Sequence, residues 1–513
     1  MVGCANPRAV LRCFLSCVLL QRWAVGLEWT LASPRARRWL HEATIATPDG
    51  INVELVEQQL VVPLTLKPAR VELRMHDDTV LCVTTRTFNG SVPAPTLVVT
   101  PGDHLVFDIA NDLGPGAANR TSLHLHGLHI GHDGVALAPG SKRIFKYIVP
   151  SDHPSGTFWY HPHVHGLLNA QIGGLLAGAL VVLDRPGDLP AQLSSKNDHV
   201  ILIQAVCAKD CGHEHDATAR AIEGHMAAEP SGHFKSRLES NSSGLYTLVN
   251  GLSVPIIDVQ PFAWTRLRYI NAIANNLVEI ASPAANNCTT LLLARDGITL
   301  QTWSPLDDAL VVPPGGRADV LVQCPPQTED VSIDVVKDLA RSPEFGHHHR
   351  VPSQPLLRLR IASALEHMVS AVSAWPQPLH VSLPSYMTVP PELPRACNYN
   401  YTFIANDTAM SGYGVNGEAF SMESRDSIVV GSPQLWCVRI AAPGDINHPF
   451  HIHNTHFHVL GQAGWRDTVP LLHGTLQLWF RPSVVGPTMT HCHIAVHADM
   501  GMARVVDVEP LTL

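Results

Sequence analysis

The segment THCHIAVHADMGM, residues 490–502, sets Cys492 between His491 and His493 and follows them with His497 and Met502. A thiolate, imidazoles and a thioether form a soft, copper-compatible ligand set. Successive side chains of a β-strand point to opposite faces. On a strand, His491 and His493 share one face and Cys492 takes the other, so one strand can touch two metal centres. Three further segments carry related chemistry: LHLHGLH (123–129), YHPHVHG (160–166) and NHPFHIHNTHFHVL (447–460). With 30 histidines in 513 residues, chance placement gives about two H-x-H pairs, whereas the chain has eight. Each i, i+2 pair on a strand offers two imidazoles to one metal cluster. Two of the four segments fall in the N-terminal third and two in the C-terminal third, so the site is expected between the two ends of the chain.

The elements that position these residues read as strands. TLVVTPGDHLVFDIAND (96–112) is a strand, a Pro-Gly-Asp turn and a second strand. YTLVNGLSVPIIDVQPFAWTRLRYINA (246–272) and SIVVGSPQLWCVRIAAPGD (427–445) repeat that grammar. Long amphipathic helical patterns are scarce, while 36 Gly and 40 Pro punctuate short apolar alternations. The chain is too long for one core, and three related β-sandwich domains are expected in an all-β fold. Their boundaries fall at DRPGDLPAQLSS (184–195) and in the Pro-rich stretch 373–394, giving domains at 41–185, 190–365 and 375–513. The His-, Glu- and Ala-rich segment 208–240 reads as an irregular insertion in the middle domain. A composition of 45% hydrophobic and 15% charged residues suits a soluble globular protein. A net charge of -9 leaves no electrostatic footprint for nucleic acid.

The four segments resemble the copper-binding motifs of the multicopper oxidases, the family of laccases, ascorbate oxidase and bacterial copper oxidases. Those motifs run H-x-H-G, H-x-H, H-P-x-H-x-H and H-C-H-x-x-x-H, with a methionine or apolar residue ten after the cysteine, and all are present in that order. FNGSVPAPTLVVTPGDHLVF (88–107), DHPSGTFWYHPH (152–163), GGLLAGALVV (173–182), PPGGRADVLV (313–322), WRDTV (465–469) and GPTMTHCHI (486–494) are similar too. The resemblance spans residues 70–513. HLHG stands where many laccases have a tryptophan, and YHPHVHG is closer to bacterial-type members.

The resemblance implies three cupredoxin-like Greek-key β-sandwiches and four copper ions: one type 1, one type 2 and a binuclear type 3 pair. His448, Cys492 and His497 would hold the type 1 copper, with Met502 as its weak axial ligand. A methionine there, rather than Leu or Phe, implies a lower potential than that of the most oxidising laccases. His124 and His451 would hold type 2 copper; His126, His161, His163, His453, His491 and His493 would hold the type 3 pair. Electrons would enter at Cys492 and reach His491 and His493 through the backbone. The implied reaction couples one-electron oxidation of a phenol or aromatic amine to four-electron reduction of O2 to water. The alternative is a metallo-oxidase acting on Fe(II) or Cu(I). Only 10 Met without a Met cluster weaken the Cu(I) version, and Asp467 and Asp499 leave the iron version open. Asp133 matches a family acid near the oxygen site and is the expected proton donor, against the plainer reading of a surface Asp-Gly turn. A non-catalytic descendant should have lost ligands, and a zinc or copper-storage protein would not need Cys492 bridging two clusters.

The remaining features concern location and covalent chemistry. Residues 1–26 read as a signal peptide, with the apolar run CFLSCVLL (13–20) and no acidic residue. A transit peptide or an uncleaved anchor is the rival reading, and no other segment reaches membrane-spanning length. Sequons at Asn89, Asn119, Asn241, Asn287, Asn400 and Asn406 support export of a monomeric glycoprotein. With the leader and Cys492 set aside, Cys82, Cys207, Cys211, Cys288, Cys324, Cys397 and Cys437 remain, an odd number. Cys207-x-x-x-Cys211 with His213 and His215 reads as a zinc site or as loop chemistry. His129, His132, His165, His456 and His458 match no ligand position, and hydrogen bonding to the ligands suits them better. His347–His349 form a loop run, and His225 and His233 lie in the insertion.

Overall fold

The fold was derived from a computed structural model, which describes residues 30–32, 59–76, 80–131, 134–185, 187–189, 197–207, 245–338, 349–361, 383–405, 412–441 and 448–512, apart from six single positions within them. Its strands form six sheets that pair into three sandwiches, with no strand shared between sandwiches among the described residues. The first sandwich sets the sheet Thr30–Ala32, Thr96–Val99, Gly178–Val182, Gly156–His161 and His124–His126 against the sheet Val80–Phe88, Gln59–Arg74, His104–Asn111 and Lys142–Ile148. The middle sandwich joins a six-stranded and a five-stranded sheet between Asp198 and Ile361. The last has a six-stranded sheet and the sheet Arg425–Val429, Ala503–Glu509, Gly486–Cys492, His448–Ile452 and Thr468–Leu471. The all-β, three-sandwich expectation holds. Thr30–Ala32 pairs in parallel with Thr96–Val99, so the first sandwich takes a strand from upstream of residue 41.

Period-2 patterning builds the cores. Leu60, Val62, Leu64 and Leu66 turn inward along Gln59–Arg74 while Val61 stays exposed. Gly156–His161 and His448–Ile452 depart from this alternation and are buried along their whole length. Both faces of these strands are covered, one by their own sandwich and the other by a neighbouring one. Trp159, Leu168 and Ile172 of the first sandwich, Leu202 and Ile270 of the middle and Ala495 and Ala498 of the last share one apolar cluster at the three-way junction. The carboxylate of Asp499 accepts backbone N–H bonds from Gly166, Leu168 and Asn169 at 2.7, 3.1 and 2.8 Å, which ties the short helix Leu168–Ile172 to the last sandwich.

Among the described residues two disulfides are present, Cys288–Cys324 in the middle sandwich and Cys397–Cys437 in the last. Cys82 is exposed and unpaired. Of the sequons, Asn89, Asn287 and Asn400 are exposed. Asn119 is not: it is only 3% exposed, and its amide donates to the carbonyls of Leu113, Gly114 and Pro115. A glycan cannot be attached there in the folded protein. Asn241, Asn406, His132, Asp133, Cys211, His213, His215, His225, His233, His347, His348 and the leader 1–26 lie outside the described residues, as does the Cys207 side chain.

Candidate metal centre

Strand register explains how one segment serves two centres. In the last sandwich His451 lies opposite His491 and Phe450 opposite Cys492. Directly opposed residues share a face, so Cys492 faces inward with Phe450 and, two residues back, His448. His451 and His491 face outward. The inner face is the apolar core, where Cys492 packs with Phe450, Ile452, Ile494 and Met502. In the first sandwich His124 lies opposite His161 and His126 opposite Trp159, and Leu125, Phe158 and Tyr160 fill that sandwich's core. The outer histidine faces of the two sandwiches therefore meet each other.

Where they meet, three groups of ring nitrogens converge within 4.8 Å: His124, His126 and His451; His126, His161 and His493; and His163, His453 and His491. The strand Gly486–Cys492 ends just before His493, whose backbone N–H instead bonds the Pro449 carbonyl at 2.7 Å. A fourth group, His448, Cys492 and His497, lies inside the last sandwich. There the Cys492 Sγ is 3.7 Å from His448 Nδ1 and 3.9 Å from His497 Nδ1, and the two nitrogens are 3.2 Å apart.

The donor chemistry fits metal ions. His161 spends Nδ1 on the Pro162 carbonyl and His451 spends Nδ1 on the Asp467 carbonyl, leaving both Nε2 atoms buried without a hydrogen-bond partner. His126 Nδ1 and both ring nitrogens of His493 are likewise buried and unpartnered. Buried polar atoms are nearly always satisfied, so a cluster of orphaned lone pairs aimed at one space asks for cations. Burial, reinforced by neighbouring imidazoles, holds His126, His161, His163, His451, His453 and His493 well below the usual histidine range. His491 is pushed down to about 4, chiefly by burial. Neutral imidazole is the form that binds a metal.

The middle sandwich supplies no member of these groups, yet it shapes them. Gly315 has φ +79°, and a Cβ there would lie 2.6 Å from the His493 ring. Arg317 is fully buried and donates to both Asp467 oxygens at 2.6 Å, to the Gly315 and Asp296 carbonyls and, at 3.3 Å, to the Thr157 carbonyl of the first sandwich. Asp467 Oδ1 in turn lies 3.4 Å from His126 Nε2. Burial opposes ionisation of Asp467, but Arg317 outweighs it and holds the carboxyl below the usual range. Burial and the neighbouring Asp467 charge push the Asp296 carboxyl up to about 6. Asp467 and Asp499, the acids that left iron oxidation open, are thus committed to Arg317 and to the helix Leu168–Ile172. Neither lines an open acidic pocket. WRDTV and PPGGRADVLV contain Asp467 and Arg317, but nothing local in either stretch shows that they pair.

The inner group is covered as well. His448 is 0% and His497 3% exposed, so neither imidazole edge lies open among the described residues. Tyr413 stacks on His497 at 4.5 Å between ring centroids, and His349 meets it edge-on at 5.0 Å.

The chain is similar to known proteins. Two family models, both described as multicopper oxidase, match residues 72–187 and 388–512. The chain is 24% identical over 440 residues to the multicopper oxidase mco of Staphylococcus haemolyticus, covering 81% of this chain and 82% of that protein. It is 25% identical over 492 residues to Laccase-2 of Fomitopsis schrenkii, covering 82% and 85%. Its fold is similar to that of a Campylobacter jejuni multicopper oxidase described as a metallo-oxidase, with a TM-score of 0.65, 20% identity and coverage of 94% and 98%. With those matches falling on the two ends that carry the converging histidines, the chain belongs to the multicopper oxidase family.

Proposed function

We propose that this copper oxidoreductase, with O2 as acceptor, is of laccase type and takes single electrons from phenols or aromatic amines. In this reading His448, Cys492, His497 and Met502 would hold type 1 copper; His124 and His451 would hold type 2; and His126, His161, His163, His453, His491 and His493 would hold the type 3 pair. Bound copper supplies one-electron acceptance at the first site and four-electron reduction of O2 to water at the other three. The protein supplies the connection. One observation carries the reading: adjacent residues of one strand, Cys492 and His491, belong to different nitrogen and sulfur groups. The Cys492 carbonyl also accepts a hydrogen bond from His491 Nδ1 at 2.9 Å, so the two groups are joined both covalently and by that bond.

A phenol would dock over the Tyr413 and His349 cover rather than on a bare imidazole. All ten histidines and Cys492 come from one chain, so a monomer suffices, with domains at 41–185, to which Thr30–Ala32 adds a strand, 190–365 and 375–513. Secretion is supported by the two disulfides, which persist in oxidising compartments, and by exposed sequons at Asn89, Asn287 and Asn400. No helix among the described residues is long and apolar enough to cross a membrane. Oxidation of a metal ion is the second reading, favoured by His349 at the His497 ring and its sequence neighbours His347 and His348. Oxygen uptake by the copper-loaded protein separates the two. Faster uptake with a methoxyphenol than with Fe(II) or Cu(I) is expected, and the reverse order would replace the laccase reading with the metallo-oxidase one.

A further inference from the structure

One residue aims two imidazoles of the outer groups. His451 Nδ1 lies 2.8 Å from the Asp467 main-chain carbonyl, which can only accept, so Nδ1 carries the proton and Nε2 the lone pair. His126 Nε2 lies 3.4 Å from the Asp467 side-chain oxygen Oδ1. That oxygen already accepts from Arg317 Nη1 at 2.6 Å and from the Thr468 hydroxyl at 2.8 Å. With a guanidinium fork across both of its oxygens the carboxylate can only accept, so His126 carries its proton on Nε2 and keeps its lone pair on Nδ1. The two rings stack at 4.0 Å between centroids and 12° between planes, with opposite nitrogens protonated. His126 belongs to two of the converging groups, so the direction of its ring bears on both. The fork is itself fixed: the Gly315, Asp296 and Thr157 carbonyls also accept from Arg317. Gly127 directly follows His126 with φ +90°, and a Cβ there would lie 2.5 Å from Arg317 Nη2 and 2.8 Å from Asp467 Oδ2. The glycine of HLHG therefore seats the ion pair against the turn that carries His126. On the far side His456, which bonds His129 at 2.7 Å, lies 3.5 Å from Oδ2.

We propose that Arg317 and Asp467 are positioning residues for O2 reduction: the Arg317 fork fixes the Asp467 carboxylate, and Asp467 then aims His126 with its side chain and His451 with its main chain. This rests on the reading of the ten histidines as copper ligands. An imidazole that binds metal through one nitrogen has its tautomer and ring direction fixed by the partner of the other. The middle sandwich, which offers no imidazole to the groups, thereby sets ligand direction at the seam between the other two. Lysine in place of Arg317 keeps the charge but presents a point instead of a fork. It separates neutralisation of Asp467 from its orientation, which a purely structural ion pair would not distinguish.

Arg317→Lys tests this in the copper-loaded protein. Its type 1 absorption and reduction potential should match the wild type. Its type 2 electron spin resonance should change in hyperfine splitting, and copper affinity of the outer groups should fall by about 10-fold to 100-fold, the scale of losing the partner of a metal-binding histidine. Leu357→Ala, a truncation in the core of the middle sandwich, is the control for lost stability. It should lower the melting temperature while leaving the type 2 signal and outer copper affinity as in the wild type. Arg317→Met combined with Asp467→Leu removes both charges and strands neither. Ring-nitrogen magnetic resonance of the wild-type apo-protein should show His126 protonated at Nε2 and His451 at Nδ1; in the double variant only His126 should lose its preference. An unchanged type 2 signal and outer copper affinity in Arg317→Lys would overturn the proposal, as would His126 protonated at Nδ1 in the wild-type apo-protein. The same spectral change in Leu357→Ala would overturn it too, because lost stability alone would then account for it. A wild-type protein that binds no type 2 or type 3 copper would instead sink the ligand assignment beneath it.

Discussion

At the scale of single residues, the inner and outer sites are separable. Cys492→Ser removes the thiolate from the core group while leaving His491 and His493 in their own nitrogen groups. It should abolish the type 1 visible absorption and oxygen uptake with every reductant, yet retain type 2 and type 3 copper by metal analysis. Met502→Leu keeps volume in a fully buried position and should cost less than about 1.5 kcal/mol, while raising the type 1 reduction potential in a redox titration. Arg317 gives the opposite balance, a large effect on stability from a residue that binds no metal. Arg317→Met strands the buried Asp467 carboxylate and should destabilise the apo-protein by about 3–5 kcal/mol. Chemical denaturation measures this, and Arg317→Lys should recover part of the loss. Equal stability in the methionine variant would mean that Asp467 has other partners sufficient to hold its charge.

At the scale of elements, the short helix Leu168–Ile172 is held by a side chain from another sandwich, because Asp499 accepts the N–H groups of its first two residues and that of Gly166 just before it. Burial pushes the Asp499 carboxyl up to about 7, and each bond it accepts contributes about 0.5–1.5 kcal/mol, so Asp499→Ala should lower the midpoint of thermal unfolding. The same variant should leave the Fe(II) KM unmoved; a raised KM would restore Asp499 as a metal-docking acid. These elements also show what sequence could and could not reveal. The strands that carry the converging histidines were legible because their information is local: alternation puts His124 and His126 on one face of their strand and sets His491 and Cys492 on opposite faces of theirs. Arg317 and Asp467 were not, since they stand 150 residues apart and no local pattern pairs them. His129 and His456, 327 residues apart, looked like spare histidines for the same reason. Asn119 carried a legible sequon, but only packing shows that its amide is used inside the fold. The covered edge of His497 depends on Tyr413 and His349 arriving from two different sandwiches, which spacing along the chain does not encode.

At the scale of the whole molecule, placing so many neutral imidazoles between three sandwiches makes the metal-free fold sensitive to acid. His153 shows the effect apart from any metal group. Burial pushes its pKa down to about 3, and a hydrogen bond to the Pro154 carbonyl recovers only part of that. Histidine in the unfolded chain titrates near 6.5. Below that value the unfolded state binds a proton that the folded state refuses, so unfolding takes up protons and stability falls as pH falls. Between neutral pH and pH 5 a single such histidine costs about 2 kcal/mol. His129 and His456 add to this in the same direction, since burial lowers both. The stability of the apo-protein should therefore be full above about pH 7 and decline steeply toward pH 5. Copper binds the neutral form of its imidazoles and competes with protons there, so the loaded protein should hold its melting temperature to lower pH than the apo-protein does. Calorimetry of both forms across pH 5–8 measures the separation. Parallel curves would mean that the buried imidazoles are protonated in the folded apo-protein, and that the cluster relaxes open when its metal is removed.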